Sequence, residues 1–171
     1  LRDSGVDVFI GNATFSGGDA VQVGDTKLRY AKAVIAAGAR AAAPAIPGLK
    51  EVRFLTNETL FSLTELPQRL GVIGAGPIGC EMAQAFARFG SEVFLVEAEH
   101  GILPRDDRDA AEVVLQAMTR DGVNLLCCGK NLQVSQAGNG IRLRAESHGK
   151  GYDEVVDQLL VAVGRAPNVE G

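Results

Sequence analysis

The residues Gly74-Ala75-Gly76-Pro77-Ile78-Gly79 place three glycines in GxGxxG spacing. Glycine-rich turns have many uses, so the pattern takes its meaning from its flanks. Leu70 to Ile73 reads as a strand and Pro77 to Phe89 as a helix, and a turn between two such elements suits a dinucleotide. Gly74 permits the tight turn, Gly76 lets the backbone approach a pyrophosphate, and Gly79 lets the helix lie close to the strand. The helix N-terminus adds unpaired N–H groups and a positive dipole end. A second strand ends at Glu97, about twenty residues further on, where an acid can accept hydrogen bonds from ribose hydroxyls. Glu97 would repel a 2′-phosphate, and Ala98, Glu99 and His100 supply no arginine to hold one. The candidate site therefore comprises Gly74, Ala75, Gly76, Pro77, Ile78, Gly79 and Glu97, with NAD(H) preferred over NADP(H).

Other chemistry-bearing residues are sparse. Cys80, Cys127 and Cys128 form no CxxC pair and no Cys/His metal spacing, so no metal site is expected. Reduced, packed thiols are the expectation, since buried thiols are usually inert. On a strand, Cys127 and Cys128 would point to opposite faces. His100 and His148 sit in polar, loop-like surroundings and read as surface residues.

The elements that must position the glycines follow from pattern. From Val6 to Ala39 the reading is β: Val6, Val8 and Ile10 alternate, Val21 to Val23 is a short strand, and Leu28 to Ala37 holds one or two more. Gly17-Gly18-Asp19 and Gly24-Asp25 read as turns. Such a meander is too small to bury a core alone. Ala33 to Ala37 is apolar on both faces, as in a strand covered on both sides. Left uncovered, it is expected to pack on the neighbouring domain or on another copy. Ala41 to Gly48 reads as a linker, and Thr56 or Asn57 as the cap of a short helix through Leu63, ended by Pro67.

From Arg69 onward strands and helices alternate. Pro77 to Phe89 carries Ile78, Met82, Phe86 and Phe89 on one face, and Gly90 suits its end. Glu92 to Glu97 is a strand. Asp106 or Asp107 caps a helix to Asp121, stopped by Gly122, and Val123 to Cys128 is a third strand. This βαβαβ order predicts an α/β, Rossmann-like parallel sheet with right-handed crossovers. Leu132 to Gln136 and Ile141 to Glu146 flank Gly138-Asn139-Gly140, a hairpin signal. Leu159 to Val163 is a last buried strand.

Bulk properties agree. A chain of 171 residues with 46% hydrophobic content can bury a sizeable core. A net charge of -4 and no basic run disfavour nucleic acid. No apolar run reaches membrane-spanning length. Leu1-Arg2-Asp3-Ser4 shows neither a signal peptide nor a starting Met, which reads as a piece of something longer, with a cytoplasmic setting expected.

Three stretches together resemble the flavoprotein pyridine nucleotide-disulfide oxidoreductases. Val34 to Ala39 with Pro44 to Gly48 is similar to the family's "ATG" segment and its proline-rich exit. Gly74 to Glu81 is similar to the nucleotide fingerprint, and Val163 to Asn168 to the GRxPN ending. Pro77 to Glu81, Thr56 to Glu58 and Ile102 to Asp106 resemble mercuric reductase-like and dihydrolipoamide dehydrogenase-like members most. The resemblance implies that residues 1–48 are part of a flavin domain and 49–171 an NAD(H)-binding domain. It implies hydride transfer from nicotinamide to FAD and on to a disulfide or metal substrate. It places Glu81 near the nicotinamide-flavin contact, Val163 and Gly164 beside the NAD, and Ala37, Gly38 and Arg165 on the FAD side.

The departures from the family pattern are also informative. Ala37 replaces the "ATG" threonine. The first FAD fingerprint, the CxxxxC disulfide, the later "GD" flavin motif and the C-terminal dimerisation domain are absent. The implied partners are those remaining domains, in a homodimer, and the chain by itself is not expected to turn over. The alternatives are a stand-alone NAD(H)-sensing module and, less consistent with the motif order, FAD at the glycine site.

Overall fold

A computed structural model describes residues 1–42, 44–99 and 101–169. The chain divides into two compact units, Leu1–Ala37 and Gly38–Gly171.

The first unit is a three-stranded antiparallel meander of β1 (Ala13–Phe15), β2 (Ala20–Val23) and β3 (Thr26–Arg29). Its turns fall at the expected glycines. Phe15 packs edge-on against Tyr30, with centroids 6.4 Å apart. Ala20 is its one buried hydrophobic residue among the described residues, so the unit has almost no core. Two expectations fail here. Val6 to Ile10 forms no strand, and neither does Ala33 to Ala37. Val34 is 92% exposed and Ile35 74%. A doubly apolar strand needs cover on both faces, and Val34 and Ile35 are largely exposed.

The second unit is built on a parallel sheet. Its strands are β5 (Arg69–Ile73), β6 (Glu92–Val96), β7 (Val123–Leu126) and β11 (Gln158–Val161), in the order β11-β5-β6-β7. Helices α1 (Pro77–Phe89) and α2 (Arg108–Arg120) make the crossovers. Strand alternation sorts the side chains into two cores. Leu70, Val72, Val93, Leu95 and Leu160 pack with Cys80 and Ala83 of α1 and Met118 of α2. Ile73, Phe94, Leu159 and Val161 face the other way. There they meet a three-stranded antiparallel sheet of β8 (Lys130–Ala137), β9 (Gly140–Ser147) and β10 (Lys150–Val156), through Val134, Ile141, Leu143 and Val156. Gly71 marks the closest approach, since a Cβ there would lie 2.6 Å from Leu143.

The helix boundaries were legible. Pro77 opens α1, and Gly90 closes it at φ 105°. Asp107 caps α2, accepting from the amides of Asp109 and Ala110 at 3.0 and 3.3 Å. The expected face of α1 holds in part: Met82 and Phe86 pack against the core beside the buried Gly79, Cys80 and Ala83, while Phe89 is 68% exposed. The closest approach falls at Gly79, where a Cβ would lie 1.8 Å from the Gly74 carbonyl oxygen. The helix expected after Thr56 shortens to a turn and a single 3₁₀ turn, Leu60–Ser62, although Thr56 Oγ1 does accept from the Glu58 amide.

Elsewhere the β content was underestimated. The expected linker begins instead with β4 (Ala39–Ala41), which pairs antiparallel with β12 (Arg165–Pro167). Strand β10 was not anticipated, because Lys150-Gly151-Tyr152-Asp153-Glu154 has a polar start and no clear alternation. It pairs with β9 across a turn in which His148 and Gly149 have φ of 51° and 74°. Strand β7 stops at Leu126, so Cys127 and Cys128 lie beyond it.

One side chain ties the two sheets together. Arg69 donates to Glu92 and to Glu154, both at 2.7 Å, and to the Val155 carbonyl, and stacks 4.9 Å over Phe94. These pairs are partly exposed, so their individual worth is modest. Arg69→Ala is expected to lower the unfolding free energy by about 1–2 kcal/mol in a urea titration. An unchanged midpoint would show that the sheets are held by their apolar faces alone.

Candidate functional site

The C-terminal ends of β5, β6 and β11 and the N-terminus of α1 meet around one cleft of about 290 Å³. This is where open parallel sheets bind ligands, because strand order leaves a crevice there. Gly74, Gly76, Pro77, Ile78, Glu97, Val163 and Gly164 all line it. Ala75 is buried behind them. The second half of the expected site is thus gathered from two other strands.

The three glycines separate by cause. Gly74 has φ 99°, and a Cβ on it would lie 2.7 Å from the Ala162 carbonyl oxygen. A Cβ on Gly79 would lie 1.8 Å from the Gly74 carbonyl oxygen. Both are demanded by the protein's own backbone. Gly76 is not: its φ is -72°, and a Cβ there meets nothing within 4 Å. The space beside it belongs to the cleft. Gly76 also caps α1 without a side chain, leaving the first-turn amides uncapped by any side chain and available to an anion.

Glu97 is fixed rather than loose. One carboxylate oxygen accepts from the Ala75 amide at 2.6 Å and the other from the Glu99 amide at 3.1 Å. Each oxygen keeps a further lone pair for a hydroxyl. The Ala75 carbonyl accepts in turn from the Leu103 amide at 2.8 Å and from the Cys80 thiol at 3.3 Å. The glycine turn is therefore held on both sides. Burial pushes the Cys80 thiol up to about 11, so it stays protonated and unreactive at neutral pH.

Several cleft residues escaped the sequence reading. Asn57, Glu99, Pro104, Arg105 and Asp106 also line it. Arg105 brings a cation eight positions beyond Glu97, carried there by the Ile102–Asp106 loop, which Arg108 pins by donating to the carbonyls of Ile102, Leu103 and Asp106. No local signal marks it, since loop course decides it. Glu81, in contrast, is exposed on α1 and outside the cleft lining. Gly38 and Arg165 meet elsewhere, along the β4–β12 pair. Arg165 donates to the Ala39 carbonyl at 2.6 Å, and Gly38 accepts from the Asn168 amide at 3.1 Å. Ala37 ends the first unit. His100 lies outside the described residues, and His148 is exposed as expected.

The two kinds of glycine predict two kinds of variant. Gly79→Ala is expected to destabilise by about 3 kcal/mol or more, because backbone must move. Gly76→Ala is expected to cost about 1 kcal/mol or less, as a capping change only. Thermal unfolding of both checks this, and equal losses would mean that Gly76 too is a packing residue.

Comparison with known proteins bears on the family and the fold. The family model "Pyridine nucleotide-disulphide oxidoreductase" matches residues 1–171. A mercuric reductase of Bacillus cereus is 36% identical over 98% of this chain and 26% of its own length. One from Staphylococcus aureus is 35% identical over 99% of this chain and 31% of its own. The HOCl-induced flavoprotein disulfide reductase RclA of Escherichia coli superposes with a TM-score of 0.76 at 34% identity, over 94% of this chain and 37% of that one. The water-forming NADH oxidase of Lactobacillus brevis, solved with NADH, gives 0.66 at 25% identity, over 87% and 35%. The chain thus spans 26% to 37% of the length of these curated and solved relatives. With its glycine turn, its parallel sheet and a family match along its whole length, the chain belongs to the pyridine nucleotide-disulphide oxidoreductase family.

Proposed function

We propose that this chain supplies the NAD(H)-binding domain, residues 49–171, of an FAD-dependent oxidoreductase, with residues 1–48 a part of its flavin domain. The single observation that carries the reading is the open space at Gly76 beside the fixed Glu97 carboxylate and the uncapped α1 N-terminus. The amides of α1 would hold the pyrophosphate, and Glu97 the adenosine ribose. Glu97 and Glu99 outnumber Arg105 in the cleft, which supports NAD(H) over NADP(H). Val163 and Gly164 would border the nicotinamide half. When bound, the nucleotide supplies a hydride that FAD accepts and passes to a disulfide or metal substrate. On this reading Glu81, exposed on α1, faces a flavin-domain cation, and Ala37, Gly38 and Arg165 lie on the FAD side. The partners are the remaining FAD and C-terminal domains, in a homodimer. Among the described residues no helix is long and apolar enough to cross a membrane.

Mercuric ion, lipoamide and glutathione-like disulfides are the substrate candidates, and this chain's residues do not choose among them. The nucleotide preference is directly measurable. NADH fluorescence titration is expected to give binding at least about 10-fold tighter than NADPH, and Glu97→Gln to weaken NADH by about 10-fold, one hydrogen bond to a charged acceptor. Tighter NADPH binding, lost in Arg105→Ala, would reverse the preference. A purified chain that is yellow would move the glycine site to FAD.

A further inference from the structure

Away from the nucleotide cleft the fold gathers the two remaining cysteines and a histidine. Cys127, Cys128 and His148 place their Sγ, Sγ and imidazole nitrogen atoms within 4.8 Å of one another. Cys127 Sγ lies 3.1 Å from His148 Nε2. The three come from two places twenty or so residues apart, the loop after β7 and the β9–β10 turn. Nothing in their spacing announces them.

The arrangement depends on two unusual backbones. Cys128 has φ 56° and His148 φ 51°, in the left-handed region that side chains rarely adopt. Had β7 continued, the thiols would have pointed to opposite faces. The left-handed residue brings both to one side. The loop is held by the Cys128 amide on the Glu99 carbonyl at 3.0 Å and the Gly129 amide on the Glu97 carbonyl at 2.7 Å. Ser147, buried, donates its hydroxyl to the Cys127 carbonyl from the β9 side. Both cysteines are half-buried and His148 is exposed, so one side of the cluster is open.

We propose that Cys127, Cys128 and His148 form a binding site for a thiophilic d10 cation. Two thiolates and one imidazole are soft and borderline donors, and the set holds no carboxylate or carbonyl ligand to favour calcium or magnesium. Zinc(II) would take a water in the fourth, open position, while copper(I) accepts three donors alone. Binding displaces the two thiol protons to solvent and changes no oxidation state. The site is independent of nucleotide binding in its chemistry, although its loop shares two backbone hydrogen bonds with the Glu97–Glu99 segment.

The test uses the reduced, metal-free chain, desalted without oxygen. Zinc(II) is titrated against a chromophoric chelator, and copper(I) against bicinchoninate. One equivalent is expected to be retained. Cys127→Ser and Cys128→Ser are each expected to weaken it about 100-fold, and His148→Asn about 10-fold. Asn is at ease in the left-handed region, so His148→Asn should fold even where a cysteine variant does not. Cys80→Ala is expected to bind as the parent does. Cobalt(II) in place of zinc should show sulfur-to-metal charge transfer that each cysteine variant diminishes. Retention of one ion and not the other decides which metal fits, and either supports the site. Retention of neither ion, or affinity unchanged in both cysteine variants and in His148→Asn, would reduce the cluster to a thiol–imidazole hydrogen bond and overturn the proposal.

Discussion

Helix α1 begins so close to the end of β5 that no side chain fits between them. A Cβ on Gly79 would stand 1.8 Å from the Gly74 carbonyl oxygen. This one contact sets the height of the helix above the sheet. It explains why the fully buried residues of α1 are the small Gly79, Cys80 and Ala83, with Met82 and Phe86 packed half-buried beside them. It also aims the first-turn amides along the strand ends, where a phosphate would meet them. The close approach is possible because Gly74 turns at φ 99°, tight against Ala162 and Val163.

That contact leaves the glycine turn rigid but its far side undefined. Glu97 completes it. The carboxylate holds the Ala75 amide, while Leu103 and Cys80 donate to the Ala75 carbonyl. The turn is thus gripped from β6, from α1 and from the loop before α2. A site preorganised in this way presents donors and acceptors without reorganisation when a ligand arrives. The sheet behind it is equally constrained. Apolar residues on both faces of β5, β6 and β11 need cover on both sides, and the helices and the β8–β10 sheet provide it.

What could be read in advance was local. The GxGxxG turn, Pro77 at the start of α1, Gly90 at its end, Asp107 as a cap and the Gly138-Asn139 hairpin each carry their cause within a few residues. What could not be read depended on partners distant in the chain. Strand β12 exists because β4 lies beside it, 120 and more residues earlier in sequence. Strand β10 exists because β9 offers an edge, despite its own polar start. Ala33 to Ala37 shows the converse: a strongly apolar, β-prone run stays irregular, with Val34 and Ile35 exposed.

The sequence by itself determined the GxGxxG turn, the acid that follows it and the α/β order around them. These are encoded by residue type at short spacing, where backbone freedom and helix capping act. Only the tertiary structure decided that Gly74 and Gly79 serve packing while Gly76 serves the cleft. The difference lies in whether another strand's backbone fills the space. It alone brought Arg105 into the same cleft as Glu97, and the thiols of Cys127 and Cys128 to the ring of His148. Such groupings depend on where loops end, and loop ends are set by the packing of two sheets rather than by the residues that meet there.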